Sequence, residues 1–400
     1  MRILIITDYL PYPPISGDRI RVYNLIRRVA MKHQVALAAP IRTLAERNSI
    51  SHLHEFCYKI ETANLPRRLP VFHAPGLLCY GLAGKPLELK FLFSKTLAEK
   101  IRQLAFTQDF DIVQIEHSRM ALYLEALPQG ARCKRILVFH NIASYQYDRI
   151  FHIEKGLVNR MRALLHSRMM HHWEPQYAER FDRCITTSEF DRHLLMEANS
   201  HLTIDVVPNG VDTQRLKPLV MEEMQPALLF IGTMNYTPCA DAVLYFCKQM
   251  LPHIRRVLAE VQVWIVGADP SPEVIRLNGD NVHVTGRVED VVPYYRRSAV
   301  FIVPLRAGGG TRLKILEAMA LGRPVVSTSI GCEGLNVVDG QHLLIADSPK
   351  QFAEQTIRLL TDKLLYQRII AEARQLVVAK YDWDGIAGQL MDIYSNLQGN

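Results

Sequence analysis

The sequence predicts an α/β protein built from two doubly wound domains, each a parallel sheet with helices on both faces. Short apolar runs alternate with helical patterns along all 400 residues, and continuous apolar strands belong to parallel sheets covered on both sides. About six such runs fall in each half, and a proline-rich interruption at 208–226 separates them. A chain of this length with 48% hydrophobic content can bury two sizeable cores.

The first run, RILIITD, starts one residue after Met1 and is too short for a signal-peptide core, so it predicts a buried strand. The next loop, DYLPYPPISGDRI, is stiffened by prolines. Gly17 there allows close approach to the backbone, and a helix is expected from about Asp18. The loop is either a ligand-contacting turn or a plain connection. VALAAP and DIVQIE supply further strands, and RILVFHN delivers His140 and Asn141 at a carboxyl strand end, where ligands of such sheets bind. A lone histidine there also fits an ordinary packing role. RCITTS and IDVVP complete the first half. The boundary is expected near residue 218, giving domains of 1–218 and 219–383, with a final helix over 384–398 that has no strand after it.

In the second half, ALLFIGT places Gly232 and Thr233 at a strand end, and VQVWIVGAD places Gly267 likewise. Each is a weak signal alone. VHVTGRV, AVFIVPL, PVVSTS and HLLIAD supply the remaining strands. The most informative stretch is 299–329, AVFIVPLRAGGGTRLKILEAMALGRPVVSTS. Here an apolar strand runs into Gly308, Gly309, Gly310 and Thr311, and then into a helix carrying Arg312, Lys314 and Glu317. Glycines feeding a helix N-terminus present open backbone N–H groups to an anion, and Arg312 and Lys314 add full charge. Glu317, expected about two turns into the helix, suits a ribose diol. Phosphate cradle and diol acceptor together point to a nucleotide. Taken singly, the glycines also fit a simple turn, and Lys314 with Glu317 a surface ion pair.

Composition narrows the classes. No run reaches the roughly 18 apolar residues of a spanning helix, so the expectation is a soluble protein or one held at a membrane surface. Seven cysteines, at 57, 79, 133, 184, 239, 247 and 332, form no CxxC pair. This predicts a reduced, cytoplasmic chain without a disulfide framework or zinc site. Residues 1–218 hold 30 Lys/Arg against 21 Asp/Glu, while 219–400 hold 17 against 19. A basic first half suggests an anionic partner. The segment 153–182, with Lys155, Arg160, Arg162 and Arg168 between apolar residues, reads either as a helix lying on anionic lipid or as a domain helix with a solvated basic face. The first strand lacks a following GxGxxG, and no Walker lysine loop exists, which weakens the nicotinamide and triphosphate readings.

Several of these pieces together resemble family 4 glycosyltransferases of the GT-B fold along essentially the whole chain: the loop with Gly17, TTSEFDRHLL, VVPNGVD, FIGT, and above all FIVPLRAGGGTRLKILEAMALGRPVVST. The resemblance implies two Rossmann-like domains facing a cleft. It implies a nucleotide-diphosphate sugar as donor substrate on the C-terminal domain, with a sugar or lipid-linked acceptor on the N-terminal one. It also implies retention of anomeric configuration, no cofactor or metal, and a last helix returning to the N-terminal domain. Nucleic acid is not an expected partner; peripheral contact with an anionic membrane at its inner face is.

Two departures stand out. The family commonly has Glu-x7-Glu, yet Gly309 stands eight residues before Glu317. It also commonly has Arg and Lys after the FIG strand, where this chain has Thr233 and Cys239. Arg312 and Lys314 are the expected substitutes, stabilising the leaving diphosphate with the 308–311 amides. Gly232, Thr233 and Glu317 then join the donor side, Gly17 and Asn141 the acceptor side, and His140 contacts sugar or acceptor. A GT-B nucleotide-sugar epimerase and a non-catalytic nucleotide-sugar-binding subunit stay open as alternatives.

Overall fold

The computed structural model describes residues 1–65, 86–220 and 226–399. Cys79 and part of the expected linker, 221–225, lie outside them. Contacts divide the chain into two units: 1–145 with 164–209 and 383–400, and 146–163 with 210–382.

The first unit is built on a seven-stranded parallel sheet: β1 (Arg2–Ile6), β2 (Gln34–Ile41), β3 (Cys57–Asn64), β4 (Ile112–Glu116), β5 (Lys134–Phe139), β6 (Arg183–Thr186) and β7 (Ile204–Val206). Their order is β3-β2-β1-β4-β5-β6-β7. β3 has no counterpart among the apolar runs. It is an edge strand, half-exposed at Lys59, Glu61 and Thr62, so its sequence, CYKIETAN, never needed to become continuously apolar. The unit's helices include α1 (Gly17–Val29), α2 (Lys95–Thr107) and α5 (Glu189–Ala198), while α3 (Ala143–Ile153) and α4 (Leu157–Ala178) each have residues in both units. Glu174 of α4 caps the start of α3, accepting from the Ala143 and Ser144 N–H groups at 3.0 and 3.1 Å.

The second unit has six parallel strands: β8 (Ala227–Ile231), β9 (Gln262–Val266), β10 (Val282–Val284), β11 (Val300–Val303), β12 (Val325–Ser327) and β13 (Leu344–Ile345). They lie in the order β10-β9-β8-β11-β12-β13. α6 (Thr237–Tyr245), α7 (Leu313–Ala320), α8 (Pro349–Thr361) and α9 (Lys363–Lys380) belong to it. All five residues of β8 and all four of β11 are buried, as strands covered on both faces must be.

In both sheets strand order reverses direction next to the first strand, between β1 and β4 and between β8 and β11. Loops leaving those neighbours diverge and open a crevice at the carboxyl ends. The last helix, α10 (Trp383–Gln398), belongs to the first unit. Trp383, Ile386, Ala387, Leu390, Tyr394 and Leu397 share one buried face at helical spacing. Arg28 of α1 pairs with Asp384 at 2.5 Å, and Gln398 donates to the Asp111 carbonyl at 3.0 Å.

Two stretches placed before residue 218 by the sequence reading group with the second unit. Residues 210–218 do so because Val211 pairs with Asp382, and Arg374 donates to the carbonyls of Thr213 and Leu216 at 2.9 and 2.8 Å. Residues 146–163 do so because Arg149 forms a two-handed ion pair with Glu333, both bonds at 2.7 Å, and Glu154 accepts from Thr237 at 3.0 Å. Side-chain pairing of this kind leaves no trace in hydropathy.

Candidate active site

In the second unit the chain leaves β11 and passes through Gly308 (φ +126°) and Gly310 (φ +68°), conformations that favour glycine. A Cβ on Gly308 would come within 2.7 Å of Arg312 Nη2. Arg312 occupies the N-cap position of α7, so it stands before the helix and not on it. Its Nη1 donates to the carbonyls of Gly309 and Gly310, while Nη2 is buried and has no hydrogen-bond partner among the described residues. A buried guanidinium donor without an acceptor, beside a glycine loop and a helix N-terminus, is an anion site in waiting. Thr311, half-buried, completes the loop.

Because α7 begins at Leu313, Glu317 is its fifth residue, little more than one turn in, and not two. Lys314 Nζ donates to Glu317 Oε2 at 2.8 Å, so the expected cation and the expected diol acceptor hold each other. At the end of β8, Gly232 meets Gly267, whose φ is +155°. A Cβ on Gly267 would lie 1.7 Å from the Gly232 carbonyl oxygen. These two glycines permit the close approach of two strand ends. Thr233 is exposed beside them. Burial pushes the Cys239 thiol up to about 11, so this residue supplies no charge where the family commonly has a cation. Arg149 also donates to the Gly308 carbonyl at 3.3 Å, and Gln146 donates to the Tyr236 hydroxyl at 2.5 Å. Neither was expected, since Arg149 stands 159 positions from Gly308.

In the first unit, His140 sits just past β5 and is 7% exposed; Asn141 beside it is half-buried. Its Nε2 lies 2.6 Å from Glu116 Oε2 at the end of β4. The ring of His117, a residue held at φ +71°, stacks on it with centroids 3.8 Å apart. His117 Nε2 lies 3.1 Å from the Tyr9 hydroxyl. Gly17 opens α1 and brings Asp18 into its first turn. There Asp18 stands 3.9 Å from His140 Nδ1 and 3.9 Å from His117 Nε2, too far for direct hydrogen bonds. Asp8, buried, is paired with Arg119 at 2.5 Å.

The charge states of the two histidines diverge. Burial alone would lower the His140 pKa, but the Asp18 and Glu116 carboxylates outweigh it and raise it. His117 is driven well below the usual histidine range by burial and by the neighbouring His140 and Arg119 charges. Glu116 is lowered: burial opposes this, and His140 and Arg21 override it. One ligand-type atom each from Asp18, His117 and His140 falls within 4.8 Å of the others. That gap could in outline hold a cation. The positive charges of Arg119 and Arg21 act on His117 there, against the pull of the Asp18 carboxylate.

Sequence reasoning found His140 and missed Glu116, His117 and the functional placing of Asp18. A signal existed: in DIVQIEH, Gln114 and Glu116 alternate with apolar residues inside a strand otherwise fit for the core. Among the described residues the cysteines are free, and no helix is long and apolar enough to cross a membrane.

Comparison with known proteins gives consistent matches. The model described as Glycosyltransferase Family 4 matches residues 15–215, and that described as Glycosyl transferases group 1 matches 225–362. A phosphatidyl-myo-inositol mannosyltransferase of Mycobacterium leprae is 27% identical over 224 residues, 53% of this chain. The match spans only 59% of that relative's length. Among solved structures, the sucrose-phosphate synthase of Thermosynechococcus elongatus superposes with a TM-score of 0.71 at 16% identity, covering 99% of both chains. Anabaena HepE, solved with UDP and glucose, gives 0.67 at 16% identity over 99% of this chain and 100% of its own.

Proposed function

This chain belongs to glycosyltransferase family 4 and has the GT-B fold, and we propose that it transfers a hexose from a nucleotide-diphosphate sugar to an acceptor hydroxyl with retention of configuration. The observation that carries this reading is Arg312: one nitrogen is tied to the glycine loop, and the other is buried, unpaired and beside Gly308. That nitrogen, the 308–311 backbone amides and Lys314 surround the place where a diphosphate would leave.

In the reaction, the bond from the anomeric carbon to the diphosphate oxygen breaks and a bond to the acceptor oxygen forms on the same face. The acceptor proton passes to the departing phosphate oxygen. Negative charge grows on the diphosphate as this happens, so fixed positive charge there binds the transition state more strongly than the ground state. Arg312 and Lys314 then do the work of a divalent cation. Donor binding splits the Lys314–Glu317 pair, freeing Glu317 for the ribose hydroxyls and Lys314 for phosphate. His140 meets a sugar or acceptor hydroxyl, with Gly17 and Asn141 on the acceptor side.

Where the acceptor is lipid-linked, α4 offers a docking face. Leu157, Val158, Met161 and Leu165 are each more than half exposed, and no acidic residue stands between Lys155 and Trp173. A basic face with exposed apolar side chains suits the surface of an anionic leaflet, which supports a peripheral location at the inner face of the membrane.

The test is donor hydrolysis by purified protein across UDP-glucose, UDP-N-acetylglucosamine and GDP-mannose. Slow release of nucleoside diphosphate from one of them, unaffected by EDTA and lost in folded Arg312→Ala, is the expected result. Isomer formation without release would favour an epimerase, and binding without either would favour a non-catalytic subunit.

A further inference from the structure

β4 carries polar groups where its position calls for none. Gln114 and Glu116 lie on one face of a central strand and are each 1% exposed, while Val113 and Ile115 point the other way. Burying an amide and a carboxylate inside a covered sheet is costly unless each atom is paired. Here the pairing is continuous. The Tyr394 hydroxyl, fully buried on α10, donates to Gln114 Oε1 at 2.6 Å. Gln114 Nε2 donates to Glu116 Oε1 at 2.6 Å, and the other carboxylate oxygen meets His140 Nε2 at 2.6 Å.

The chemistry of the chain fixes its direction. A tyrosine hydroxyl facing the amide oxygen leaves the amide nitrogen to face Glu116. An ionised Glu116 only accepts, so His140 must carry a proton on Nε2. Nδ1 is then the ring atom left over. It is buried without a hydrogen-bond partner among the described residues, and Asp18 stands 3.9 Å away, outside direct hydrogen-bond range. The stacked His117 ring restrains the plane.

We propose that Tyr394, Gln114 and Glu116 are positioning residues that hold His140 with Nε2 protonated and Nδ1 presented to a substrate hydroxyl beside Asp18. The C-terminal helix thereby sets the tautomer of a histidine after β5. The consequence for turnover rests on the reading that His140 meets a sugar hydroxyl; the positioning itself does not.

The experiment uses the full chain labelled with 15N-histidine. Long-range 1H–15N spectra at one fixed pH above the His140 titration, where the ring is neutral, read which ring nitrogen of His140 carries the proton, with His140→Gln assigning the signal. Tyr394→Phe is nearly isosteric and removes the far end of the chain; Gln114→Leu removes its middle; Glu116→Gln puts a donor where an acceptor stood. The wild type should show a protonated Nε2. Tyr394→Phe should shift the ring nitrogens measurably and Gln114→Leu further, with kcat for donor hydrolysis falling about tenfold in Gln114→Leu and KM little changed. Identical His140 nitrogens in wild type and in every variant that melts normally would overturn the proposal. Shifted nitrogens with unchanged turnover would support the positioning and refute the catalytic reading of His140, so the two failures are separable.

Discussion

The groups that make the anion cradle of the second unit's candidate site lie within ten consecutive positions, 308–317, whereas those of the first unit's cluster come from β1, α1, β4, β5 and α10. In the second unit the backbone makes the site: positive-φ glycines expose amides, and Arg312 braces the loop by bonding its carbonyls. In the first unit side chains make it, and most of them are buried and paired with one another. A backbone site depends on the absence of side chains and is damaged by adding one. A side-chain site depends on every partner and is damaged by taking one away.

The sharpest attack on this contrast targets the charges that α7 adds to its backbone cradle. Lys314→Ala should lower turnover by about 10²–10³-fold, some 2.7–4 kcal/mol, if it resembles loss of an oxyanion donor. Glu317→Gln should mainly raise the donor KM. Steady-state donor hydrolysis at varied donor concentration separates the two. Because the wild-type residues are paired at 2.8 Å, the double variant should fall short of the product of the single effects. Near-normal kinetics in both folded variants would remove the site assignment.

Next in size, Gly267→Ala should cost roughly 2–4 kcal/mol, since the new Cβ would have to push the Gly232 carbonyl aside at a strained φ. Urea unfolding reads it. Gly340→Ala is the matched control: its φ is +74° but a Cβ there meets nothing within 4 Å, so only the strain of about 1 kcal/mol should appear. Equal losses would show that crowding between β8 and β9 is unimportant.

The first unit should answer to pH. His140 has a raised folded pKa, so its contribution to stability is fully present below the unfolded value near 6.5 and is lost as pH rises through the folded one. His117, lowered, works in reverse: the unfolded chain gains a proton that the fold refuses, and stability falls as pH drops below about 6.5. Unfolding free energies between pH 5 and 9 should therefore lose their alkaline slope in His140→Gln and part of their acid slope in His117→Gln. Unchanged slopes in both would mean the stacked pair does not titrate as its surroundings dictate.

The smallest expected effect concerns α4. Removing Arg160 and Arg162 should weaken cosedimentation with anionic vesicles by about 1 kcal/mol per charge at low salt, with no change on neutral vesicles. Equal partitioning of the wild type onto both vesicle types would leave α4 as an ordinary helix with a solvated basic face.

The same contrast explains how much of the molecule was legible in its sequence. Twelve of the thirteen strands among the described residues were visible as apolar runs, because parallel strands buried on both faces can use little else; β3 was hidden by the polar residues an edge tolerates. The cradle was legible because its parts are neighbours in the chain. The Lys314–Glu317 pair was foreseen only as an alternative, and the helix start was misplaced because Arg312 looks like any first-turn cation until its guanidinium is seen folding back. The His140 cluster could not be assembled from one sequence. Pairings such as Tyr394 with Gln114, 280 positions apart, have no local signature.

The placing of α10 also bears on how the protein is made. Synthesis runs from the N-terminal side, and domains generally fold as they emerge from the ribosome. The first unit breaks that habit. Until residues 383–398 have been added, β4 lacks the tyrosine that its buried glutamine needs, and α1 lacks the apolar face of its neighbour. The nascent first unit therefore waits, without its last helix, while residues 210–382 are translated, and the buried chain from Gln114 to the histidine beside Glu116 gains its far end only when α10 follows.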